Sequence, residues 1–173
     1  MLEVGPGGEY ALVHLTHRFP TARVVGLGFA SPSIDLARRT VADAGLAGQV
    51  EIRHGDANEM TGEDTYDLVV MNTVPHEMGG PAGYRNVSRR ARLALEPGGL
   101  VMVSKLAYPY SPTAYRGNPV SRMLAGVHIH EARVGRGAIT QGELRSLIAG
   151  ARCSDPRIIA QPIPTRLVMM GER

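Results

Sequence analysis

The chain has 173 residues, 43% of them hydrophobic, which is the size and apolar content of one globular domain. Its 19 basic and 16 acidic residues give a formal net charge of +3, too small and too scattered an excess to predict a nucleic-acid partner. A single cysteine excludes an internal disulfide, and no apolar run reaches the roughly 20 residues that cross a bilayer, so we expect a cytoplasmic protein without a membrane partner.

Short apolar runs alternate with amphipathic stretches along the chain, which is typical of βαβ units. The predicted strands, in chain order, are residues 2–4, 23–27, 49–53, 66–72, 100–104, 157–160 and 165–170, and the predicted helices are about 11–19, 31–44, 84–95 and 140–148. Ser31 and Pro32 indicate an N-cap followed by a first helical residue, and Thr140 with Glu143 predicts a capping box. Residues 106–119 are rich in Pro and Tyr, and we expect an irregular, functional segment there.

The turn Gly5-Pro6-Gly7-Gly8 connects the first predicted strand to the first predicted helix. Glycines let the backbone approach a ligand, and a helix N-terminus offers unpaired N–H groups to an anion. A dinucleotide-binding fingerprint would need a glycine at position 10, where this chain has Tyr10, and an acidic residue at the end of the second strand, where it has none. NAD binding is therefore disfavoured, and a tight turn without a ligand is the alternative.

Four segments follow one another in a fixed order: Glu3 with Gly5 and Gly7, then Gly55-Asp56-Ala57, then residues 66–70, then residues 95–99. In this order they resemble the class I S-adenosylmethionine-dependent methyltransferases, and most of all the small-molecule O-methyltransferases. The resemblance covers residues 1 to about 105 well and the remainder more loosely. It implies a Rossmann-like α/β fold, with a seven-stranded, mostly parallel sheet flanked by helices and an antiparallel last strand pair. We expect one domain, residues 1–173, without the helical segment that the family usually places before the first strand.

The resemblance implies S-adenosylmethionine as the cofactor. Gly5 and Gly7 would pass under its methionine half, Asp56 would accept from the adenine amino group, and Asn72 would end the fourth strand at the methyl-transfer cleft. Asp56 could also be an ordinary loop or capping carboxylate. The implied cofactor-binding residues are Glu3, Gly5, Gly7, Gly28, Asp56, Ala57 and Asn72.

Two positions depart from the family pattern. The second strand normally ends in an acidic residue that accepts from the ribose hydroxyls, but Gly28 stands there. Losing those hydrogen bonds would cost about 2 to 4 kcal/mol of cofactor binding. Glu9 replaces the third glycine of the first motif, and its carboxylate either repels the cofactor or complements the helix dipole from solvent.

His76 and Glu77 follow the fourth predicted strand and resemble the Leu-His-Asp segment of small-molecule O-methyltransferases, whose His deprotonates a substrate hydroxyl. An imidazole with a neighbouring carboxylate is chemically suited to that role. The alternative is a His that packs or caps a helix. Residues 72–75 lack the Asn-Pro-Pro-aromatic pattern of nucleic-acid amine methyltransferases.

Three tyrosines, Tyr108, Tyr110 and Tyr115, could stack on an aromatic substrate or simply pack the loop. His128, His130 and Glu131 do not have a further ligand at suitable spacing, so no metal site is expected.

Methyl transfer to a hydroxyl of a small molecule, which could be aromatic, is therefore the leading functional hypothesis. The alternative is a homologue that does not methylate and serves as an accessory subunit, a binding protein or a repurposed enzyme. A homodimer or a partner chain could cover the region where the N-terminal helical segment usually packs.

Overall fold

The computed structural model describes residues 1–7, 10–74, 77–78, 80–109, 111, 113–135 and 139–173. These residues form seven strands: β1 (Leu2–Val4), β2 (Val24–Gly28), β3 (Val50–His54), β4 (Tyr66–Asn72), β5 (Leu95–Leu106), β6 (Ser154–Ile163) and β7 (Arg166–Glu172). They also form five α-helices: α1 (Ala11–Arg18), α2 (Ser31–Asp43), α3 (Gly80–Ala94), α4 (Pro119–Arg133) and α5 (Gln141–Gly150). Short 3₁₀ helices lie at Ala57–Glu59 and Thr113–Arg116.

All of these strands belong to one sheet, in the order β3-β2-β1-β4-β5-β7-β6. The pairs from β3 to β5 are parallel, whereas β7 is antiparallel to both β5 and β6. The predicted Rossmann-like sheet with an antiparallel end is therefore confirmed. β1 has three residues and lies at the centre, paired with Val25–Leu27 on one side and Val69–Met71 on the other. The carboxyl ends of β1, β2 and β4 consequently lie side by side.

Helices cover both faces of this sheet. On one face, apolar residues of α3 and α5 pack against the inward positions of β4, β5 and β7 in the main core. On the other face, Leu12 of α1 and Val41 of α2 pack against Val24 and Val50. Val25 belongs to the main core and Val24 to the second cluster, as expected because neighbouring strand residues point to opposite faces. No described helix has both the length and the apolar character needed to cross a membrane.

The last helix begins where its capping signal predicted. The Thr140 hydroxyl accepts from the Glu143 backbone N–H at 3.2 Å, and the Glu143 carboxylate accepts from the Thr140 N–H at 2.7 Å. This is a complete capping box. The predicted C-terminal hairpin is also confirmed, with β6 and β7 longer than predicted.

Several boundaries differ from the prediction. Ala30 is the N-cap of α2, so Ser31 is its first helical residue rather than its cap. α3 begins at Gly80 instead of residue 84, and β5 already begins at Leu95, which pairs with Tyr66 across a register shift.

α4 is absent from the sequence prediction. It buries only Leu124 fully, so its apolar residues do not form the continuous stripe that reveals a helix. Its N-terminus carried a signal nonetheless: the Asn118 side chain accepts from the Ser121 N–H at 2.9 Å, and Pro119 follows the cap.

An amino group, which is rarely buried in a protein, lies beside the main core. Lys105, the one lysine of the chain, is 4% exposed, and its Nζ forms no hydrogen bond with the described residues. The nitrogen lies 5.5 Å from the centre of the Tyr108 ring. Burial lowers the pKa of Lys105 to about 7, opposed by the carboxylate of Glu143 on α5.

Replacing this amine with an isosteric apolar side chain should stabilise the protein. The pKa of Lys105 is about 7 in the folded protein, below the ordinary value of 10.5, so unfolding takes up a proton between these two pH values. The contribution of Lys105 to the free energy of unfolding therefore falls as the pH falls from 10.5 to 7. We expect Lys105→Met to raise the free energy of unfolding at pH 7 by about 1 to 3 kcal/mol. Urea unfolding from pH 7 to pH 10 should give a flatter pH dependence for the variant than for the wild type. Equal slopes for both proteins would contradict the assignment.

Candidate functional site

A cleft of about 610 Å³ opens at the carboxyl ends of β1, β2 and β4. Open α/β sheets bind ligands at this edge. Six of the predicted cofactor-binding residues line it: Gly5, Gly7, Gly28, Asp56, Ala57 and Asn72. Glu3, the remaining one, is 3% exposed within β1 and does not line the cleft. The fold thus brings together residues from four separate segments of the sequence.

The glycine turn forms one wall of the cleft. Gly5 has φ +75°, and its N–H donates to the Leu27 carbonyl at 2.7 Å. A Cβ at Gly5 would lie 2.4 Å from Cγ2 of Val74, which follows β4. Both the backbone conformation and the close approach therefore require glycine at this position.

Gly28 ends β2 in the cleft, where the family normally has an acid. A Cβ there would lie 2.9 Å from Cδ1 of Ile34 and 3.3 Å from Cδ of Pro6. The nearer atom is the end of a flexible side chain, so a larger residue is tolerable after a small shift of Ile34. The cleft lacks a carboxylate at this position, while its backbone can still contact a ligand.

Asp56 serves as a cap and also lines the cleft. Its Oδ1 accepts from the Asn58 backbone N–H at 2.8 Å and from the Asn58 side-chain amide at 3.1 Å, so it is the N-cap of the 3₁₀ helix Ala57–Glu59. Its other oxygen makes no hydrogen bond to a described residue. Asp56 therefore has the capping role that the sequence allowed, and its second carboxylate oxygen stays available to a ligand.

Sequence reasoning missed Phe29, which is 72% exposed beside Gly28 at the rim of the cleft. Its ring stacks on that of His54 with centroids 6.1 Å apart, and His54 Nε2 lies 2.8 Å from the Phe29 carbonyl oxygen. An exposed aromatic ring at a cleft offers a flat surface for a purine or another ring. An aromatic residue directly after a strand that ends at the ligand-binding edge was the available signal.

Sequence reasoning also missed Arg166, whose side chain reaches the end of β4. Arg166 of β7 donates from Nη1 to Thr73 Oγ1 at 2.6 Å and to Asn72 Oδ1 at 3.1 Å. Thr73 has φ +63°, a left-handed conformation that is unfavourable for a threonine, and its N–H donates to the Ser104 carbonyl at 2.7 Å. Because 94 residues separate Arg166 from Asn72, no local pattern could reveal this contact.

Of the predicted catalytic pair, only Glu77 is among the residues that the structure describes. Glu77 is exposed and lines the cleft. His76 lies outside the described residues, as do Glu9 and Tyr110. The catalytic roles of His76 and Glu77 therefore stay predictions.

The other two tyrosines form a partly buried cluster with His128 of α4. The Tyr115 hydroxyl lies 2.6 Å from His128 Nδ1, and the Tyr108 ring centroid lies 5.4 Å from that of His128. Burial raises the pKa of Tyr108 to about 12, with a contribution from Glu131. Neither tyrosine lines the cleft, so the structure favours the packing alternative for both.

Comparisons with known proteins agree with this geometry. A family model described as a methyltransferase domain matches residues 1–99. The apo structure of SibL, an S-adenosylmethionine-dependent methyltransferase, is 25% identical with a TM-score of 0.78, covering 99% of this chain and 49% of SibL. Mitomycin 7-O-methyltransferase MmcR has a similar fold, at 20% identity and a TM-score of 0.78, over 99% of this chain and 48% of MmcR.

A curated relative, the release factor glutamine methyltransferase of Caulobacter vibrioides, is 29% identical over 60% of this chain and 44% of its own length. The chain thus spans about half the length of these relatives.

The contact between Gly5 and Val74 can be tested by adding one methyl group. Gly5→Ala should destabilise the protein by about 2 to 4 kcal/mol, because a left-handed alanine costs about 1 kcal/mol and the clash with Val74 adds to it. Gly45→Ala is the matched control, since Gly45 has φ +71° but an added Cβ there would meet no atom within 4 Å. Thermal unfolding of both variants measures the difference, and equal losses would refute a tight contact at Gly5.

Proposed function

The chain belongs to the methyltransferase domain family, and we propose that it binds S-adenosylmethionine and transfers the methyl group to a hydroxyl of a small molecule. The observation that carries this proposal is the meeting of the Gly5 turn, Asp56 and Asn72 in one cleft. Two similar proteins support this proposal, since SibL is an S-adenosylmethionine-dependent methyltransferase and MmcR is an O-methyltransferase.

The residues of the cleft fit this cofactor. Gly5 and Gly7 line the cleft in the turn that precedes α1, where the methionine half of the cofactor would lie, and the second oxygen of Asp56 can accept from the adenine amino group. The exposed ring of Phe29 can lie against the adenine. When bound, the cofactor supplies an activated methyl group on a sulfonium. Glu3, buried in β1, would act only by supporting the turn.

His76 removes the proton from the acceptor hydroxyl in this proposal, and Glu77 orients its imidazole. Oxygen becomes a good nucleophile for the methyl group only as it loses its proton, and a base near neutral pKa suits that step. The rest of the rate acceleration comes from alignment of the two reactants in the cleft.

The second candidate is a homologue that does not methylate, acting as an accessory subunit, a binding protein or a repurposed enzyme. Gly28 favours it, because the cleft lacks the carboxylate that normally accepts from the ribose. A cytoplasmic location and a homodimer or partner chain over the N-terminal region stay predictions.

Calorimetric titration with S-adenosylmethionine and S-adenosylhomocysteine separates the two candidates. Micromolar dissociation constants would support methyl transfer, and screening of phenols and catechols would then identify an acceptor. No heat of binding at millimolar ligand would reject the proposal in favour of the second candidate.

Restoring the acid should strengthen the cofactor site. We expect Gly28→Asp to tighten S-adenosylhomocysteine binding at least tenfold, because a carboxylate at this position can accept from both ribose hydroxyls. Gly48→Asp adds the same charge at an exposed loop where nothing lies within 4 Å, and it should leave the affinity unchanged. A Gly28→Asp protein that folds but binds no more tightly would show that the ribose is held elsewhere.

Removal of the base should affect turnover rather than binding. We expect His76→Ala to lower kcat on the identified acceptor by about 10² to 10⁴-fold while the dissociation constant of S-adenosylhomocysteine changes less than about threefold. His17→Ala, at an exposed position of α1, is the control. An unchanged kcat would remove His76 from the mechanism.

A further inference from the structure

A histidine at the end of β3 fixes the backbone that follows β2. Gly28 and His54 are the last residues paired between these two strands. Beyond this pair, the Gly55 N–H donates to the Gly28 carbonyl at 2.8 Å, and His54 Nε2 lies 2.8 Å from the Phe29 carbonyl oxygen. A carbonyl oxygen only accepts, so the Nε2–H of His54 is the donor in this contact. The His54 side chain thus extends the connection between the two strands by one residue.

The same imidazole also supports the side chain of Phe29. The two rings are stacked at an interplanar angle of 18°, with centroids 6.1 Å apart. Phe29 lines the cleft and His54 does not, so the imidazole approaches the phenyl ring from outside the cleft. Phe29 remains 72% exposed. One side chain therefore holds this ring by two contacts while most of the ring surface stays open to a ligand.

The segment that carries His54 also carries a polar group of the cleft. Asp56 lies two residues further along the chain and lines the cleft, with one carboxylate oxygen available to a ligand. On the β2 side, Gly28 offers no carboxylate to the hydroxyls of a ribose. Contacts to the base must then contribute a larger share of the affinity for an adenosine. Stacking on an aromatic ring is the strongest of the contacts that a base commonly makes without hydrogen bonds.

We propose that His54 is a positioning residue for the cofactor, because it fixes the Phe29 ring as a flat surface on which the adenine stacks. This inference rests on the proposed binding of S-adenosylmethionine. His54 acts only through Phe29: its N–H fixes the Phe29 carbonyl, and its ring supports the phenyl ring from outside the cleft. A phenyl ring without this support would lose its freedom of rotation when the adenine binds, and that entropic cost would weaken binding.

Affinities of matched variants test this role. Calorimetric titration gives the dissociation constants of S-adenosylhomocysteine and adenosine for the wild type, His54→Ala, His54→Gln, Phe29→Ala and the double variant His54→Ala/Phe29→Ala. We expect Phe29→Ala to weaken both ligands by at least about tenfold and His54→Ala by about five- to tenfold. His54→Gln should recover most of this loss, since its amide can donate in place of Nε2.

The double variant separates positioning from a direct contact. Because the effect of His54 passes through Phe29, the double variant should bind as weakly as Phe29→Ala and no more weakly. His54 is exposed on the edge strand β3, so its replacement leaves the core intact. His17→Ala, at an exposed position of α1, is the control and should bind like the wild type.

Fluorine NMR follows the ring directly. Phe19 and Phe29 are the only phenylalanines of the chain, so protein labelled with 4-fluorophenylalanine gives one resonance for each. The loss of one resonance in Phe29→Ala assigns them. We expect His54→Ala to shift the Phe29 resonance and to leave that of Phe19 in place, because the imidazole lies against only one of these rings.

Three results would overturn the positioning role. They are an unchanged affinity of His54→Ala for both ligands, a double variant in which the two losses multiply, and a Phe29 resonance that does not respond to His54→Ala.

Failure of the proposed function has a different signature. A wild type that binds adenosine but not S-adenosylhomocysteine, with adenosine weakened in His54→Ala, rejects methyl transfer and keeps His54 as a positioning residue for an adenosine. Equal affinity of S-adenosylhomocysteine for His54→Ala and the wild type rejects only the role of His54. A wild type that binds neither ligand rejects both proposals.

Discussion

The parallel pairing of β1 between β2 and β4 determines where every other part of the cleft lies. β1 has only three residues, yet its backbone is bonded to a strand on each side, and all of its side chains are buried. This register places the ends of three strands at one level, so the glycine turn, Gly28 and Asn72 meet although they are far apart in sequence. A change of register would separate them, because each belongs to a different loop.

Close packing then couples the glycine turn to the segment that follows β4. The glycine turn lies against Val74, which follows β4, so a displacement of the turn is expected to displace Val74 as well. Arg166 holds the same segment from behind through Thr73. Packed interiors transmit such displacements instead of absorbing them.

Neighbouring residues of β5 place opposite chemistry on the two faces of the sheet. Ser104 faces the polar contacts around Arg166, while the adjacent Lys105 points to the main core beside Tyr108 and Glu143. The alternation of a strand makes this separation automatic. Polar contacts on one face of the sheet and a buried amine on the other thus come from two adjacent residues of β5.

Local periodicity and turn chemistry were enough to predict all seven strands, four of the five described helices and the capping box at Thr140. The resemblance of its motifs to class I methyltransferases implied the mostly parallel sheet and most of the cleft residues. The folded chain was needed to learn that Asp56 caps a 3₁₀ helix while facing the cleft, that Phe29 is exposed at its rim, and that Tyr108 is buried. It was needed above all for the approach of Arg166 to Asn72, because contacts across a sheet are set by strand order and register, and neither is recorded in the residues adjacent to Arg166.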